Sequence, residues 1–269
     1  MTEPLKTINM IVAALGGEGG GVLTTWLIEV AKRSGWHCQS TSLAGVAQRT
    51  GATVYYLEFV PRLSNQPEPV MSLFPAQGDI DIAVTSEIAE AGRMISRGFV
   101  SPERTTLISS DHRVYGITEK SDTTDGTADT AFILNLSTRY ANRFVHFDML
   151  ELVQRHGTVI SAGLFGAIAG AEVLPFHRET YTQILDSGKG AVANRAAFDE
   201  SFKRAQSGGV ALYDPDPLPT FTLPEATTPL GFRLLPLISA LPTEVHEIVY
   251  HAVLRLVDYQ DEAYAADFI

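Results

Sequence analysis

The chain has 269 residues, 45% hydrophobic and 19% charged, enough for one large domain with a substantial appendage. Its formal net charge of -11 argues against a general nucleic-acid binder. A single cysteine, Cys38, excludes an internal disulfide framework and any cysteine-bound zinc or iron–sulfur site built from this chain alone. The N-terminal MTEPLKTINMIVAAL has no basic region, apolar core and cleavage site in series. The longest apolar run, Val159 to Ala171, falls short of the roughly 20 residues a membrane span requires. A cytoplasmic chain without a membrane segment is expected.

Thr7 to Leu15 is a compact apolar run ending at glycines, which predicts a buried strand. The glycine-rich loop Gly16 to Gly21 follows, and then Val22, Leu23, Trp26, Leu27, Val30 and Ala31 recur at helical spacing until Gly35. Strands are predicted at Cys38 to Leu43 and at Val54 to Val60, the second stopped by Pro61, with a loop from Leu63 to Gln77. A strand over Ile80 to Thr85 leads into a helix from Ile88 to Ser96. Further strands are predicted at Thr106 to Ser109, Val114 to Thr118 and Phe144 to Phe147. Helices are predicted near Ala131 to Tyr140 and from Met149 to His156, the latter capped by Asp148 and ended by Gly157. Three more are predicted at Val159 to Ala171, Arg178 to Leu185 and Gly190 to Ala205, the first of them a close-packed helix of small residues at a core or a subunit interface.

Strands alternating with helices predict a three-layer α/β/α fold around a mainly parallel sheet. Composition changes after Ser207, where Gly208, Gly209, Pro215, Pro217, Pro219 and Pro224 mark a loop-like segment. The expected division is an α/β domain over 1–207 and a Pro-rich linker with a helical extension over 208–269. Helix is predicted at Glu244 to Val257, and the closing DEAYAADFI is helix-like without a breaker, which suggests a longer natural polypeptide or an end covered by a partner.

A strand, glycines and a helix in series present backbone N–H groups and a helix N-terminus to an anion. The run GGEGGG does not fit G-x-G-x-x-G, and no acidic residue ends a clear second strand to hold a ribose hydroxyl. Glu18 within the loop would repel a phosphate unless it points away or binds a hydroxyl. A ligand cradle and a bare tight turn therefore stand level on loop chemistry alone.

The segment LAGVAQRTGATVYYLEF, Leu43 to Phe59, taken with the loop, resembles the gamma domain of the 2-oxoacid:ferredoxin oxidoreductases. That family follows a GGQG-type loop with a GxAQRGG-type segment and a strand. Gly45, Ala47, Gln48, Arg49 and Gly51 match, whereas Thr50 replaces a glycine and Glu18 a glutamine, as in the long bacterial beta subunits of indolepyruvate ferredoxin oxidoreductase. The likeness continues through Pro75 to Lys120, Ser161 to Gly170 and Ala191 to Ser201, and the tail is similar to the start of the extension those subunits carry.

The resemblance implies oxidative decarboxylation of an aryl 2-oxoacid to an acyl-CoA, with electrons passed to ferredoxin. The chain has neither the cysteines for clusters nor a GDG-type thiamine-diphosphate and magnesium segment, GDID at Gly78 to Asp81 being too early and too strand-like. The resemblance therefore implies that thiamine diphosphate, magnesium and iron–sulfur clusters belong to a partner alpha subunit. This chain would be a non-catalytic, ligand-binding subunit, with coenzyme A at the interface as the candidate ligand and no metal of its own; a homodimer also stays open. The competing reading, from the loop alone, is a free-standing nucleotide- or flavin-binding oxidoreductase.

The candidate ligand-binding residues are Gly17, Gly19, Gly20, Gly21, Gln48, Arg49, Thr50, Ser86 and Glu87. The Arg49 fork suits a phosphate or carboxylate, against an internal ion pair with Glu87 or Glu58. Gln48 serves a ligand or the loop backbone equally well. Ser86 and Glu87 end a parallel strand, on the edge where ligands of open α/β sheets gather, although helix capping is the simpler role for Glu87 and Glu90. The seven histidines show no metal spacing, His112 reads as a loop residue, and Cys38 reads as a small buried hydrophobe.

Overall fold

The computed structural model describes residues 7–43, 52–63, 69–115, 129–186, 188, 190–207, 211–212 and 221–269. They fall into two compact units, Met1–Asp214 and Pro215–Ile269.

In the first unit the apolar run Ile8–Leu15 forms β1, and α1 (Gly20–Arg33) follows the glycine loop. β2 (Trp36–Leu43), β3 (Ala52–Pro61) and β4 (Ile82–Thr85) precede α2 (Ile88–Ser96). Then come β5 (Thr106–Ser110), α3 (Thr130–Tyr140), β6 (Arg143–Phe147) and α4 (Met149–Arg155). α5 (Ile160–Gly170), α6 (Arg178–Asp186), α7 (Ala191–Ser207) and the two-residue β7 (Ala211–Leu212) complete it. The strands order β2-β3-β1-β4-β5-β6-β7 in one sheet. β1 pairs parallel with β4, β4 with β5 and β5 with β6, whereas β3 lies antiparallel between β1 and β2, and β7 is antiparallel to β6. Five of the seven strands therefore point one way, and the mainly parallel α/β/α fold stands.

The strand pleat sorts the core into two layers. Met10 and Val12 of β1 join a cluster with Leu23 and Leu27 of α1, Leu152 of α4, Phe165 of α5, Tyr181 of α6 and Phe198 of α7. The alternate residues Ile11 and Ala13 join Ile88, Ala91 and Met94 of α2 and Ile133 of α3 on the opposite face. Because both faces are covered, β1 from Met10 to Leu15 reads as a continuous apolar run rather than an alternating one. α5 is buried along its whole length. At Gly166 and Gly170 a side chain would strike the backbone of α7 at Phe198 and Phe202, so these glycines are what lets the two helices meet. The small-residue run is thus a core element, and no helix among the described residues is long and apolar enough to cross a membrane.

The strand expected at Val114 to Thr118 is a correction. Residues 111–115 are irregular, because the Arg113 guanidinium turns back to Glu87 and to the Val114 carbonyl instead of following β5 outward, and 116–118 lie outside the described residues.

The second unit contains α8 (Pro229–Ser239), a short 3₁₀ turn at Thr243–Val245, α9 (His246–Tyr259) and α10 (Glu262–Phe268). The proline-rich start conceals α8 from sequence reading. Thr228 caps it and Pro229 occupies the first turn, where a missing N–H costs nothing. Leu234, Ile238, Val253 and Ala265 form its small core.

Candidate functional site

The site is assembled at the edge where β1, β4 and β5 end. After Leu15 the chain closes a tight turn through the Glu18 N–H bond to the Leu15 carbonyl, 3.0 Å. Gly19, the N-cap of α1, has φ 74° and ψ 24°, a left-handed conformation that glycine adopts without strain. A Cβ at Gly20 would lie 2.7 Å from Ala14 Cβ and 2.8 Å from the Tyr55 ring. The glycines thus let α1 start directly against β1 and β3. Helical bonding begins only where the Leu23 N–H reaches the Gly19 carbonyl, 2.9 Å. The N–H groups of Gly20, Gly21 and Val22 precede that bond, among the described residues no side chain caps the helix, and its first turn holds no acid. The positive end of α1 is consequently uncompensated from within its own segment.

Glu18 points away from that end. Its carboxylate accepts the Ser86 hydroxyl at the tip of β4 and meets His112 Nε2 at 3.2 Å beyond β5. A carboxylate only accepts, so Nε2 carries the proton. His112 Nδ1 then takes the Ser110 hydroxyl at 2.8 Å, and Ser110 Oγ in turn accepts the Met149 N–H at 2.9 Å. Ser86 Oγ accepts the Leu15 N–H at 3.1 Å. Every member of the chain is satisfied, and the carboxylate is held by partners from β4, β5 and, through Ser110, α4.

The order Glu18–His112–Ser110 has the composition of a nucleophilic triad, but the geometry assigns it a holding role. Ser110 is fully buried, and its oxygen is occupied by the Met149 amide. No substrate carbonyl can reach it. Beside it, Asp111 meets His146 Nδ1 at 2.9 Å, and the His146 ring stacks on Phe144 with centroids 4.3 Å apart.

Gly17, Gly19, Gly20, Gly21 and Ser86 therefore converge on one edge. Glu87 is turned inward: it caps α2 at the Ala89 N–H, 3.1 Å, and pairs with Arg113 at 3.2 Å while only 1% exposed. Gln48, Arg49 and Thr50 lie outside the described residues. Sequence reading took His112 for a loop residue and did not single out Ser110, Tyr55 and Ser161. Ser161, in the first turn of α5, is fully buried, has no hydrogen-bond partner for its hydroxyl among the described residues, and faces Gly19, whose missing Cβ would lie 2.8 Å from it. For His112 the available signal was its place two residues past β5, at the same sheet edge as the loop.

Other candidates are inert. Burial pushes the Cys38 thiol up to about 12, against the opposing charge of Lys32, so no thiolate is available near neutrality. Asp79 and Asp81 of GDID are bound to Arg104 and Asn9. Among the described residues no group of three or more His, Cys, Asp or Glu side chains could hold a metal ion.

Residues 9–204 match the family model described as pyruvate ferredoxin/flavodoxin oxidoreductase. Among solved structures, the chain is similar to the gamma subunit of a keto/oxoacid ferredoxin oxidoreductase from Geobacter sulfurreducens, at 13% identity and a TM-score of 0.49, over 75% of this chain and 99% of that one. It is also similar to a 2-oxoglutarate:ferredoxin oxidoreductase from Magnetococcus marinus with 2-oxoglutarate, coenzyme A and succinyl-CoA bound. That likeness has 13% identity and a TM-score of 0.50, over 76% of this chain and 32% of that one. A pyruvate oxidoreductase subunit from Thermotoga maritima aligns at 14% identity and a TM-score of 0.44, over 74% and 96%. At such identities the likeness concerns the fold. No curated protein matches the chain.

Proposed function

This chain belongs to the pyruvate ferredoxin/flavodoxin oxidoreductase family, and on that premise we propose that it is the non-catalytic subunit of an aryl 2-oxoacid:ferredoxin oxidoreductase, with indolepyruvate as the leading substrate. It docks to a subunit that carries thiamine diphosphate, magnesium and iron–sulfur clusters, and ferredoxin accepts the electrons of the complex. The isolated chain is inactive. Its own contribution is one wall of a coenzyme A site at the glycine-loop edge, formed by Gly17, Gly19, Gly20, Gly21 and Ser86, with Glu87 supporting it from α2. Gln48, Arg49 and Thr50 complete the wall in this reading.

The observation that carries the proposal is the uncompensated N-terminus of α1, within the region that matches the family model. Unpartnered amides at a helix start suit the phosphates of coenzyme A. The aryl preference rests on Glu18 and Thr50, which stand where the resemblance identifies a difference from the common pattern.

The test is reconstitution of the chain with its cluster-bearing partner and measurement of coenzyme A-dependent ferredoxin reduction. Indolepyruvate should outperform pyruvate and 2-oxoglutarate, and neither protein should act alone. Preference for a short aliphatic 2-oxoacid would refute the aryl assignment. Tight binding of NAD(P)H or FAD with hydride transfer by the isolated chain would replace the whole reading with a free-standing oxidoreductase.

A further inference from the structure

Glu18 stands one residue before the N-cap of α1, where a carboxylate gains from turning toward unbonded first-turn amides. It is the only acid in Gly16 to Gly21, and it does not turn there. Its two oxygens are taken by Ser86 and by His112, residues 68 and 94 positions away in sequence. His112 is in turn fixed by Ser110, which is fixed by the Met149 amide. The side-chain exposure of His112 is 7% and that of Glu18 is 17%, so water competes weakly for this contact. On the far side of the loop, the buried and unpartnered Ser161 hydroxyl is aimed at Gly19, a polar group that nothing in the described chain satisfies.

We infer that Ser86 and His112 are positioning residues that hold the Glu18 carboxylate off the N-terminus of α1, keeping its amides open to an anionic group of the ligand. The inference rests on the coenzyme A reading only for the identity of that anion. The specificity consequence is that this loop accepts an anion although it contains an acid, because the acid is tied to the ends of β4 and β5. Freed from His112, Glu18 becomes a competitor in place, capping α1 and repelling phosphate.

Two measurements on the full chain test this. The first needs no ligand: hydrogen exchange of peptides spanning residues 16–23. His112→Ala should slow exchange at the first turn of α1, because the released carboxylate takes up its amides, and His112→Ala with Glu18→Gln should return exchange to the original rate. Unchanged or faster exchange in His112→Ala overturns the inference. The second is coenzyme A titration of the assembled complex. His112→Ala should weaken binding about tenfold, the equivalent of a lost cap-sized interaction, and adding Glu18→Gln should restore it to within about twofold.

A merely structural role for His112 predicts no rescue by a change at position 18. Should His112→Ala fail to fold, Ser86→Ala with and without Glu18→Gln carries the same two measurements. Absence of coenzyme A binding in the unmodified complex would remove the ligand assignment and leave the exchange result to decide the role of His112.

Discussion

At the end of the sheet where β1 begins, Asp79 and Asp81 meet Arg104 and Asn9; at the end where β1 finishes, Glu18 meets Ser86 and His112. The two ends use similar acids with opposite results. Arg104 grips Asp81 with two nitrogens, at 2.8 and 3.1 Å, and also reaches Asp79, while Asp81 accepts the Asn9 amide at 2.8 Å. Both acids there share the one guanidinium of Arg104. At the other end a hydroxyl and an imidazole hold the acid, while among the described residues no side chain caps the helix beside it. A closed ion network stabilises; an acid drawn away from the start of a helix leaves that start available, which is what the proposed site requires.

The largest effect is expected from Asp81→Ala, which breaks the network of the first end. Loss of the bidentate contact and of the Asn9 acceptor should cost about 2–3 kcal/mol in urea unfolding, with coenzyme A affinity of the folded complex unchanged. A parallel loss of affinity would break the distinction between the two ends. Next comes Gly20→Ala, which drives a methyl into Ala14 and Tyr55. It should cost about 2 kcal/mol by overpacking and also weaken the ligand. Gly17→Ala sharpens this. Gly17 has φ 90° but no atom of the described residues within 4 Å of a would-be Cβ, so the expected cost is that of the left-handed backbone, about 1 kcal/mol.

The smallest effect concerns pH. Burial first, then the charges of Glu58, Asp79 and Asp81, push the Tyr56 hydroxyl up to about 12, and that hydroxyl donates to Asn9 at 3.2 Å. A tyrosine in the unfolded chain ionises near 10. The contribution of Tyr56 is therefore full below pH 10 and lost as pH rises through about 12. Tyr56→Phe should flatten the alkaline limb of stability in that window relative to the parent chain. An unchanged limb would mean that Tyr56 is not the titrating member of the first end.

Sequence made β1, the glycine turn, α1 and α2 readable because their signals are local: an apolar run, glycines, and a carboxylate at a helix start. Ile88 to Ser96 is helical over the expected span, and Glu87 caps it. The direction of β3 was not readable, since a β-branched run looks the same in either sense. α8 was hidden by prolines that the first turn of a helix tolerates. The candidate site was legible as a place but not as a mechanism. Glycines and Ser86 are marked by position, whereas the hold of His112 on Glu18 arises only when β1 and β5 are laid side by side with β4 between them. The same holds for Ser161, which nears Gly19 only through the packing of α5.

The glycine contacts between α5 and α7 also bear on how the chain is made. α5 is complete once Gly170 has left the ribosome, but the helix that closes over it spans Ala191–Ser207. Until then a predominantly apolar cylinder has only part of its cover, and it is a surface that chaperones would recognise. Ribosome-stalled chains long enough to expose Gly170 but not Ala191 outside the exit tunnel should therefore crosslink to trigger-type holdases far more strongly than chains long enough to expose residue 207 as well.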